Sequence, residues 1–278
     1  MGVKYPLCRV NILHNLIRAH LTEYVMSYSK ETIDFTEDIK ARAIRYGFNF
    51  IGIVSAETYD QYPGHYIGHH DYLCDTLKTK DYLENAKSLI ILGVRVWDDL
   101  FDMVVRVDDH LEYPDEWRGR YYARRLMRHM NKLGYQTVLK PDLLSKKRMA
   151  VMGGIGAFGK QSLIVHPEYG PWIRLRSVLT DAELVPTEPF TEDLCGDCEE
   201  CIKACPVGAL SPYKVDPDRC FLGMYWEDRL SPEVKDLYIE HNEMLTENTW
   251  KMCNTCQQAC PIGRDKRYAY YGRSTDLK

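Results

Sequence analysis

Eight of the ten cysteines lie between Cys195 and Cys260, and their spacing is the strongest chemical signal in the sequence. They form two motifs, Cys195-x2-Cys198-x2-Cys201-x3-Cys205-Pro206 and Cys253-x2-Cys256-x3-Cys260-Pro261. The first motif has the spacing of bacterial ferredoxins, in which three cysteines hold one iron–sulfur cubane and the fourth holds the other cluster. Clustered thiols in a chain without a secretion signal indicate bound metal rather than disulfides.

A count of ligands assigns the cysteines to clusters. The motifs provide seven thiolates, two 4Fe-4S clusters need eight, and Cys220 is the only cysteine between the motifs. One cluster is therefore assigned to Cys195, Cys198, Cys201 and Cys260, and the other to Cys205, Cys220, Cys253 and Cys256. The alternative is two zinc sites, but zinc takes pairs of cysteines rather than a triple followed by Cys-Pro. Cys8 and Cys74 are expected to be ordinary buried cysteines.

A glycine-rich stretch, GGIGAFGK at 153–160, is the second chemical signal. Gly154, Gly156 and Gly159 have the spacing of a dinucleotide fingerprint, which follows a strand and opens a helix. Here the stretch follows a predicted helix and leads into a predicted strand, so that fingerprint is a weak match. Two interpretations stay open: a tight backbone turn, or a turn whose amide groups approach a cofactor closely.

Two groups of polar residues are weaker candidates. Arginines are dense in the helix before the glycine stretch, and they form either a solvated face or a contact for phosphates or carboxylates. Tyr121 and Tyr122 in the same helix suit packing better than catalysis. The second group lies in a loop and consists of His65, His69, His70 and Asp71. Their spacing matches no zinc motif, so solvated side chains are expected there rather than metal ligands.

These residues must be positioned by a mixed set of helices and strands. Apolar residues at helical spacing predict a helix within residues 1–30. The next helix is expected to be capped by Thr36 and to stop at Gly47. The further elements are a strand at 48–56, a loop at Tyr59–Tyr72, a strand at 87–96, a helix at Trp117–Leu133, a strand at 135–140, a helix at Lys146–Met152, and strands within 162–165 and 174–184. This order predicts an α+β fold.

Composition narrows the class of protein. The chain has 278 residues, 45% of them hydrophobic and 27% charged, as in ordinary globular proteins. A net charge of −4 does not suit a general nucleic-acid binder, although a local basic patch stays open. No run approaches the ~20 apolar residues of a membrane span, and the N-terminus lacks the apolar segment of a signal peptide. The expected location is the cytoplasm, without a membrane partner.

Several segments together resemble the epoxyqueuosine reductase and reductive dehalogenase superfamily. They are AKSLIILGV, RYYARRLMRHMNKLG, GGIGAFGKQSLIVHPEYGPWIRLRSVLTDAEL, CGDCEECIKACPVGAL and CNTCQQACP, within about residues 36–264. The resemblance implies a nitroreductase-like αβ domain that binds base-off cobalamin, followed by a ferredoxin-like domain with two 4Fe-4S clusters. The implied units are an N-terminal helical segment at 1–35, the cobalamin domain at 36–186 and the cluster domain at 187–278.

The corrinoid is expected against the glycine stretch, which lies between a helix and a strand and whose backbone amides can approach corrin amide or phosphate oxygens. The expected contacts are Gly154, Gly156, Gly159, Lys160 and Arg120. The familiar corrinoid motif Asp-x-His-x-x-Gly is present only as Asp108-x-His110-x-x-Tyr113, so no histidine is expected below the cobalt.

The proton donor is less clearly marked in the sequence. The superfamily's catalytic acid lies shortly before the glycine stretch, where Asp142 is the only acid, displaced by about two positions. Asp142, Tyr121 and Tyr122 are therefore the candidate proton donors.

The resemblance is incomplete at two points that concern the substrate. Epoxyqueuosine reductases carry a helical-repeat extension used with tRNA, whereas this sequence ends at Lys278, and its glycine stretch looks more like that of the dehalogenases. tRNA is therefore not expected as a partner. A small-molecule or protein-bound substrate and a low-potential donor of ferredoxin or flavodoxin type are expected instead.

Two functions follow from these expectations. The leading interpretation is a cobalamin-dependent iron–sulfur reductase whose clusters pass electrons to the corrinoid. The alternative is a ferredoxin-like electron-transfer or corrinoid-reactivating protein that serves a partner enzyme.

Overall fold

The computed structural model describes residues 28–63, 66–69, 72–108, 110–139, 141, 143–222 and 232–267, leaving aside the side chains of 66–69, 72–75, 110, 232 and 233. Cys8, Asp142 and most of the helix predicted within residues 1–30 lie outside this description, as do the side chains of Cys74 and of the loop histidines. Within the described part of the chain, no helix combines the length and apolar character that a membrane crossing needs.

The chain alternates between helices and strands, which confirms the mixed α+β fold class. The helices are α1 (Lys30–Tyr46), α2 (Ala56–Gln61), α3 (Pro114–Lys132), α4 (Lys146–Met152), α5 (Glu200–Lys203), α6 (Pro232–His241) and α7 (Thr255–Ala259). The strands are β1 (Phe50–Ser55), β2 (Tyr66–His69), β3 (Tyr72–Asp75), β4 (Ser88–Arg95), β5 (Met103–Val107), β6 (His110–Glu112), β7 (Thr137–Leu139), β8 (Ala157–Phe158), β9 (Ile164–Val165), β10 (Ile173–Thr180), β11 (Leu210–Ser211), β12 (Lys214–Val215), β13 (Met244–Thr246) and β14 (Thr249–Lys251).

A four-stranded antiparallel sheet, in the order β1-β4-β10-β7, forms the centre of the αβ part. Strand β4 is inside this sheet and is buried along its length apart from Arg95. Ile90 and Leu92 pack with residues of α1 and α3 on one face, whereas Leu89 and Ile91 pack with residues of α4 on the other. Helices on both faces explain why this strand has a continuous apolar run instead of an alternating pattern.

The first described helix, α1, begins earlier than the sequence predicts. The Ser29 hydroxyl accepts a hydrogen bond from the Thr32 amide and caps the helix, and Gly47 ends it with φ = 115°, as predicted. The prediction that Thr36 is the cap is wrong. Thr36 is buried inside the helix, where its hydroxyl donates to the Thr32 carbonyl (2.7 Å) and accepts from the Val185 amide (3.0 Å).

The segment predicted as a loop at Tyr59–Tyr72 also differs. It contains the end of α2, which Ser55 caps through the Thr58 amide, and then strand β2, which pairs with β3. In so short a stretch the alternation of apolar and polar residues does not indicate a strand, because glycine and histidine interrupt it. The predicted helix at Lys146–Met152 is confirmed, and the predicted helix at Trp117–Leu133 is confirmed with an earlier start.

A second sheet joins distant parts of the chain. Its order is β13-β14-β5-β6, so a strand from the cysteine-containing region pairs with strands that precede α3. Trp250 lies opposite Val104 in this pairing, and both side chains are buried. The cysteine-containing region is thus hydrogen-bonded into the αβ part.

The glycine stretch rests directly on the central sheet. A Cβ atom added at Gly52 on β1 would lie 2.2 Å from the carbonyl oxygen of Gly153, a backbone atom that cannot swing aside. A Cβ at Gly93 on β4 would lie 2.8 Å from a ring carbon of Phe50, which is a side-chain atom. Both positions need glycine, but only Gly52 meets backbone.

We therefore expect Gly52→Ala to destabilise the protein by about 1–3 kcal/mol, the usual cost of overpacking a core. Gly93→Ala, on the neighbouring strand, is the matched control and should cost less because the Phe50 ring can move. Chemical denaturation followed by circular dichroism measures both free energies of unfolding. Equal values for the two variants would contradict the backbone contact.

Candidate metal centre

The cysteines come together from loops flanking two short helices. Cys201 lies in α5 and Cys256 in α7, and these two helices pack against each other. Cys201 and Cys260 are buried, and the other six thiols are partly buried. Such burial suits cluster ligands, since a cluster must be shielded from water yet remain close enough to the surface to exchange electrons.

The pKa shifts of two buried thiols, Cys260 and Cys256, show which cysteines lie near each of them. Burial raises the pKa of Cys260, and Cys195, Cys201 and Cys198 raise it further. This set contains the four residues that the ligand count assigns to one cluster.

Cys256 identifies the second set. Burial raises the pKa of its thiol to about 12, and Cys253, Cys220, Cys201 and Cys205 add to the effect. Apart from Cys201, these are the residues assigned to the other cluster. Neighbouring thiols in a shielded site are unfavourable as separate thiolates, and the positive charge of bound iron would compensate for them. Eight cysteine thiols are the donor set that two 4Fe-4S clusters require, so the chemistry of these residues fits the clusters.

Backbone amides and amide side chains fix the loops that carry these thiols. The Ala209 amide donates to Cys205 Sγ (3.3 Å). The Cys253 amide donates to Asn242 Oδ1 (3.0 Å), and Asn242 Nδ2 donates to the Tyr238 carbonyl (2.9 Å). The second motif is thereby tied to α6, because Tyr238 and Asn242 belong to that helix and its end.

A buried carboxylate, Asp102, connects the second motif to the central sheet. Its side chain is 0% exposed and accepts hydrogen bonds from Arg174 on β10, from Arg267 Nη2 (3.1 Å) and from Asn254 Nδ2 (3.0 Å). The Asp102 carbonyl also accepts from the Met252 amide (2.9 Å). Since Asn254 follows Cys253 directly, Asp102 positions the second cysteine loop.

Sequence reasoning missed Asp102, Asn254 and Asn242. They belong to no motif, and their partners are far away in the chain, at separations of up to 165 residues. The sequence offers one signal for this role, the Asn directly after a ligand cysteine. An asparagine side chain in that position can fix a loop through hydrogen bonds.

The glycines of the turn serve the protein's own packing. An added Cβ at Gly154 would lie 2.5 Å from the Glu188 carbonyl oxygen, and one at Gly156 would lie 2.3 Å from that of Val165. An added Cβ at Gly159 would meet Val165 Cγ2 at 2.7 Å. The tight-turn interpretation thus accounts for these glycines, and a variant such as Gly156→Val would disturb the turn itself.

The residues after the glycines lie beside the cysteine-containing region. The Lys160 carbonyl accepts a hydrogen bond from the Tyr213 amide (3.1 Å), in the β11–β12 hairpin that follows the first motif. Lys160 and Gln161 are buried, and Gln161 Nε2 has no hydrogen-bond partner within the described residues. A buried amide without a partner is costly, and a bound polar group would satisfy it.

The other sequence-predicted site residues lie on α3. Arg120 pairs with Glu112 (3.3 Å). Tyr122 packs edge-on against Phe48, with 5.8 Å between the ring centroids, and contributes to the core. Tyr121 is 58% exposed. The contacts of Tyr122 are those of a packing residue.

Together, the fold and the grouped thiols define an αβ protein with a double iron–sulfur module. Residues 194–263 match the 4Fe-4S double cluster binding domain family. An epoxyqueuosine reductase of Listeria monocytogenes is 34% identical over 129 residues, or 46% of this chain and 32% of that protein. One of Leadbetterella byssophila is 24% identical over 249 residues, 82% and 80% of the respective chains. The predicted double 4Fe-4S module is confirmed.

Solved structures show the same fold. An epoxyqueuosine reductase bound to an epoxyqueuosine-modified tRNA stem loop has a TM-score of 0.64 at 22% identity, covering 84% of this chain and 66% of that one. A reductive dehalogenase structure linked to B12-dependent dehalogenation has a TM-score of 0.55 at 16% identity, covering 86% and 34%. The predicted resemblance to the epoxyqueuosine reductase and reductive dehalogenase superfamily is therefore confirmed.

The expectation that tRNA is not a partner is wrong, because a structural neighbour carries a tRNA stem loop. The expectation rested on the net charge of −4 and on the end of the sequence. Net charge is a sum over the whole surface and does not describe any one face. This chain spans only about a third of the Listeria relative, so its own substrate is a matter for proposal.

The thiol grouping predicts a selective effect at Cys220. Cys220→Ser should remove the cluster that also uses Cys205, Cys253 and Cys256, so that about half the iron is lost. The matched variant, Cys195→Ser, should remove the other cluster to the same extent. Iron and acid-labile sulfide analysis after anaerobic reconstitution measures both. Full iron content in Cys220→Ser would show that Cys220 is not a ligand.

The position of Asp102 predicts a second effect. Asp102→Ala removes the buried partner of Arg174 and Arg267, of which Arg267 keeps Asp99. The loss should therefore cost about 3 kcal/mol of folding free energy, at the lower end of the range for a broken buried pair. It should also loosen the loop at Asn254 and lower iron content. Asp102→Asn keeps a hydrogen-bond acceptor and should lose less of both. Thermal unfolding and iron analysis of the two variants test this order, and the reverse order would contradict the assigned role.

Proposed function

We propose that the protein is an iron–sulfur reductase that removes the epoxide oxygen of epoxyqueuosine in a tRNA stem loop. One observation carries the proposal. A double 4Fe-4S module shares a sheet with an αβ part whose fold is similar to that of epoxyqueuosine reductases. The relatives' names support the substrate class. A reaction on tRNA would take place in the cytoplasm.

The electron count suits this reaction. Removing an epoxide oxygen as water takes two electrons and two protons, and it leaves a carbon–carbon double bond. Each 4Fe-4S cluster carries one electron at a time, so two clusters in one chain hold the required pair. Cluster potentials extend to about −700 mV, low enough for demanding reductions. A low-potential donor must reload the clusters after each turnover.

We further propose a corrinoid between the glycine turn and the cluster module. A B12-dependent dehalogenase among the structural neighbours supports this cofactor. The group would supply a low-potential cobalt centre between the clusters and the substrate. Gly154, Gly156 and Gly159 would keep the turn in place, while Lys160 and Gln161 would provide the polar contacts.

Gln161 is the residue whose contact with the cofactor can be tested most directly. Its side chain is 4% exposed, and its amide nitrogen has no partner within the described residues. The nitrogen can donate to an amide or phosphate oxygen at the corrin periphery. Lys160, 8% exposed, can add a positive charge there. Asp142 is the proposed proton donor, since it is the only acid in the stretch before the turn.

Turnover is tested by mass spectrometry of nucleosides from an epoxyqueuosine-modified stem loop. The anaerobically reconstituted protein, supplied with cobalamin and a strong reductant, should yield a nucleoside lighter by one oxygen atom. The reaction should stop without either cofactor. Reducible clusters with no loss of oxygen would instead favour the alternative, an electron-transfer protein serving a partner enzyme.

Gln161→Met separates cofactor binding from folding. The substitution removes a buried unsatisfied amide, so the cofactor-free protein should be as stable as wild type or more stable. Cobalamin binding, followed by titration of cob(II)alamin with EPR detection, should weaken roughly tenfold, the equivalent of about one charged or strong hydrogen bond. Unchanged affinity would exclude Gln161 as a contact.

A further inference from the structure

One face of α3 is exposed and has an unusual composition. The exposed residues of this helix are Trp117, Tyr121, Arg124, Arg128, Asn131 and Lys132. The first four follow one another at spacings of four, three and four, which places them in a single stripe. Gly119, Ala123, Leu126 and Met130 are buried and belong to the opposite side. We call Trp117, Tyr121, Arg124 and Arg128 the α3 stripe.

The stripe is positively charged although the chain carries a net charge of −4. The acids of α3 do not reach it, because Asp115 is buried against Arg176 and Arg118 and Glu116 is only partly exposed. No ion pair of Arg124 or Arg128 is found within the described residues. The two guanidinium groups therefore face solvent, and no acid in the described part of the chain compensates their charge.

Aromatic rings continue this cationic surface. Trp117 and Tyr121 are 48% and 58% exposed. Trp117 Nε1 donates to Glu112 Oε2 (2.7 Å), which holds the indole in place. The Arg125 guanidinium lies 4.5 Å from the ring centroid of Tyr46 and 6.0 Å from that of Tyr121. The hydrogen bond already restricts the indole of Trp117, and Tyr121 lies one helical turn away. These rings therefore lose little conformational entropy when they contact a partner.

We propose that the α3 stripe is the docking surface for the RNA stem loop, an inference that rests on the proposed function. Arg124 and Arg128 bind backbone phosphates, for which the planar guanidinium is well suited. Trp117 and Tyr121 stack with unpaired loop bases, which is how proteins most often recognise single-stranded RNA.

The composition of the stripe favours RNA over other anionic partners. A membrane-binding face needs a broad apolar surface with aliphatic residues, and the stripe has none. An acidic protein surface would be bound by the charges alone and would leave two exposed rings without a role. Flat rings beside guanidinium groups match the alternation of bases and phosphates in a nucleic-acid loop.

The test is fluorescence anisotropy of a labelled, unmodified RNA hairpin with the reconstituted holoprotein. Arg124→Glu/Arg128→Glu should weaken binding at least tenfold and reduce the slope of log K against log salt concentration by about 2. Lys214→Glu/Lys235→Glu changes the net charge equally, at exposed positions outside the stripe, and should leave affinity within about twofold.

A second variant tests stacking. Trp117→Ala should weaken hairpin binding roughly tenfold but leave binding to a fully paired duplex of equal length unchanged. Equal losses for hairpin and duplex would overturn the stacking role. Equal effects of the two charge-reversal pairs, or binding to anionic vesicles with no RNA binding, would overturn the docking surface.

The experiments distinguish a failure of the docking surface from a failure of the proposed reaction. Hairpin binding that depends on the stripe, without loss of oxygen from epoxyqueuosine, would retain the surface and reject the proposed reaction. Turnover with an unchanged KM in Arg124→Glu/Arg128→Glu would retain the reaction and reject the surface.

Discussion

The buried carboxylate of Asp102 is the constraint on which the arrangement of this protein depends. It receives hydrogen bonds from a strand of the central sheet, from the second cysteine motif and from Arg267 near the end of the described chain. Arg267 in turn lies 3.5 Å over the ring of Trp172, just before β10. A carboxylate with no access to water is tolerated only when it is fully paired. The cluster loop and the sheet therefore cannot separate without exposing the two buried charges of Asp102 and Arg267.

Close backbone contacts add a second, uncharged connection between the same parts. A Cβ on Gly170 would lie 1.9 Å from the Ile262 carbonyl oxygen, and one on Gly263 would lie 2.2 Å from the carbonyl carbon of Tyr169. Gly263 follows the Cys260-Pro261 step and has φ = 74°, a conformation that favours glycine. The end of the second motif is thus pressed against the turn before β10. Such rigid docking of the cluster loops would serve the proposed reductase, because electron transfer depends steeply on distance.

The sequence predicts those parts of the fold that local chemistry determines. Strand β4 and helix α4 were identified because a long apolar run and a short bounded helix have clear local patterns. The cysteines were identified because ligand spacing follows from the shape of the cluster. The prediction for Thr36 is wrong because its hydroxyl accepts a hydrogen bond from the Val185 amide, a contact that tertiary folding creates. Asp102 and the β14–β5 pairing are of the same kind, since each joins residues that no local pattern relates.

The same distinction between local and global properties applies to the overall charge. The net charge is a sum over every face of the molecule, and it does not describe the electrostatic potential at any one of them. Asp115 and Asp102, for example, are buried with their arginine partners and do not lie on the outer face of α3. Arg124 and Arg128 remain at the surface of α3, on the side opposite the core. Helix periodicity thus separates one helix into a face that stabilises the sheet and a face that presents positive charge to solvent.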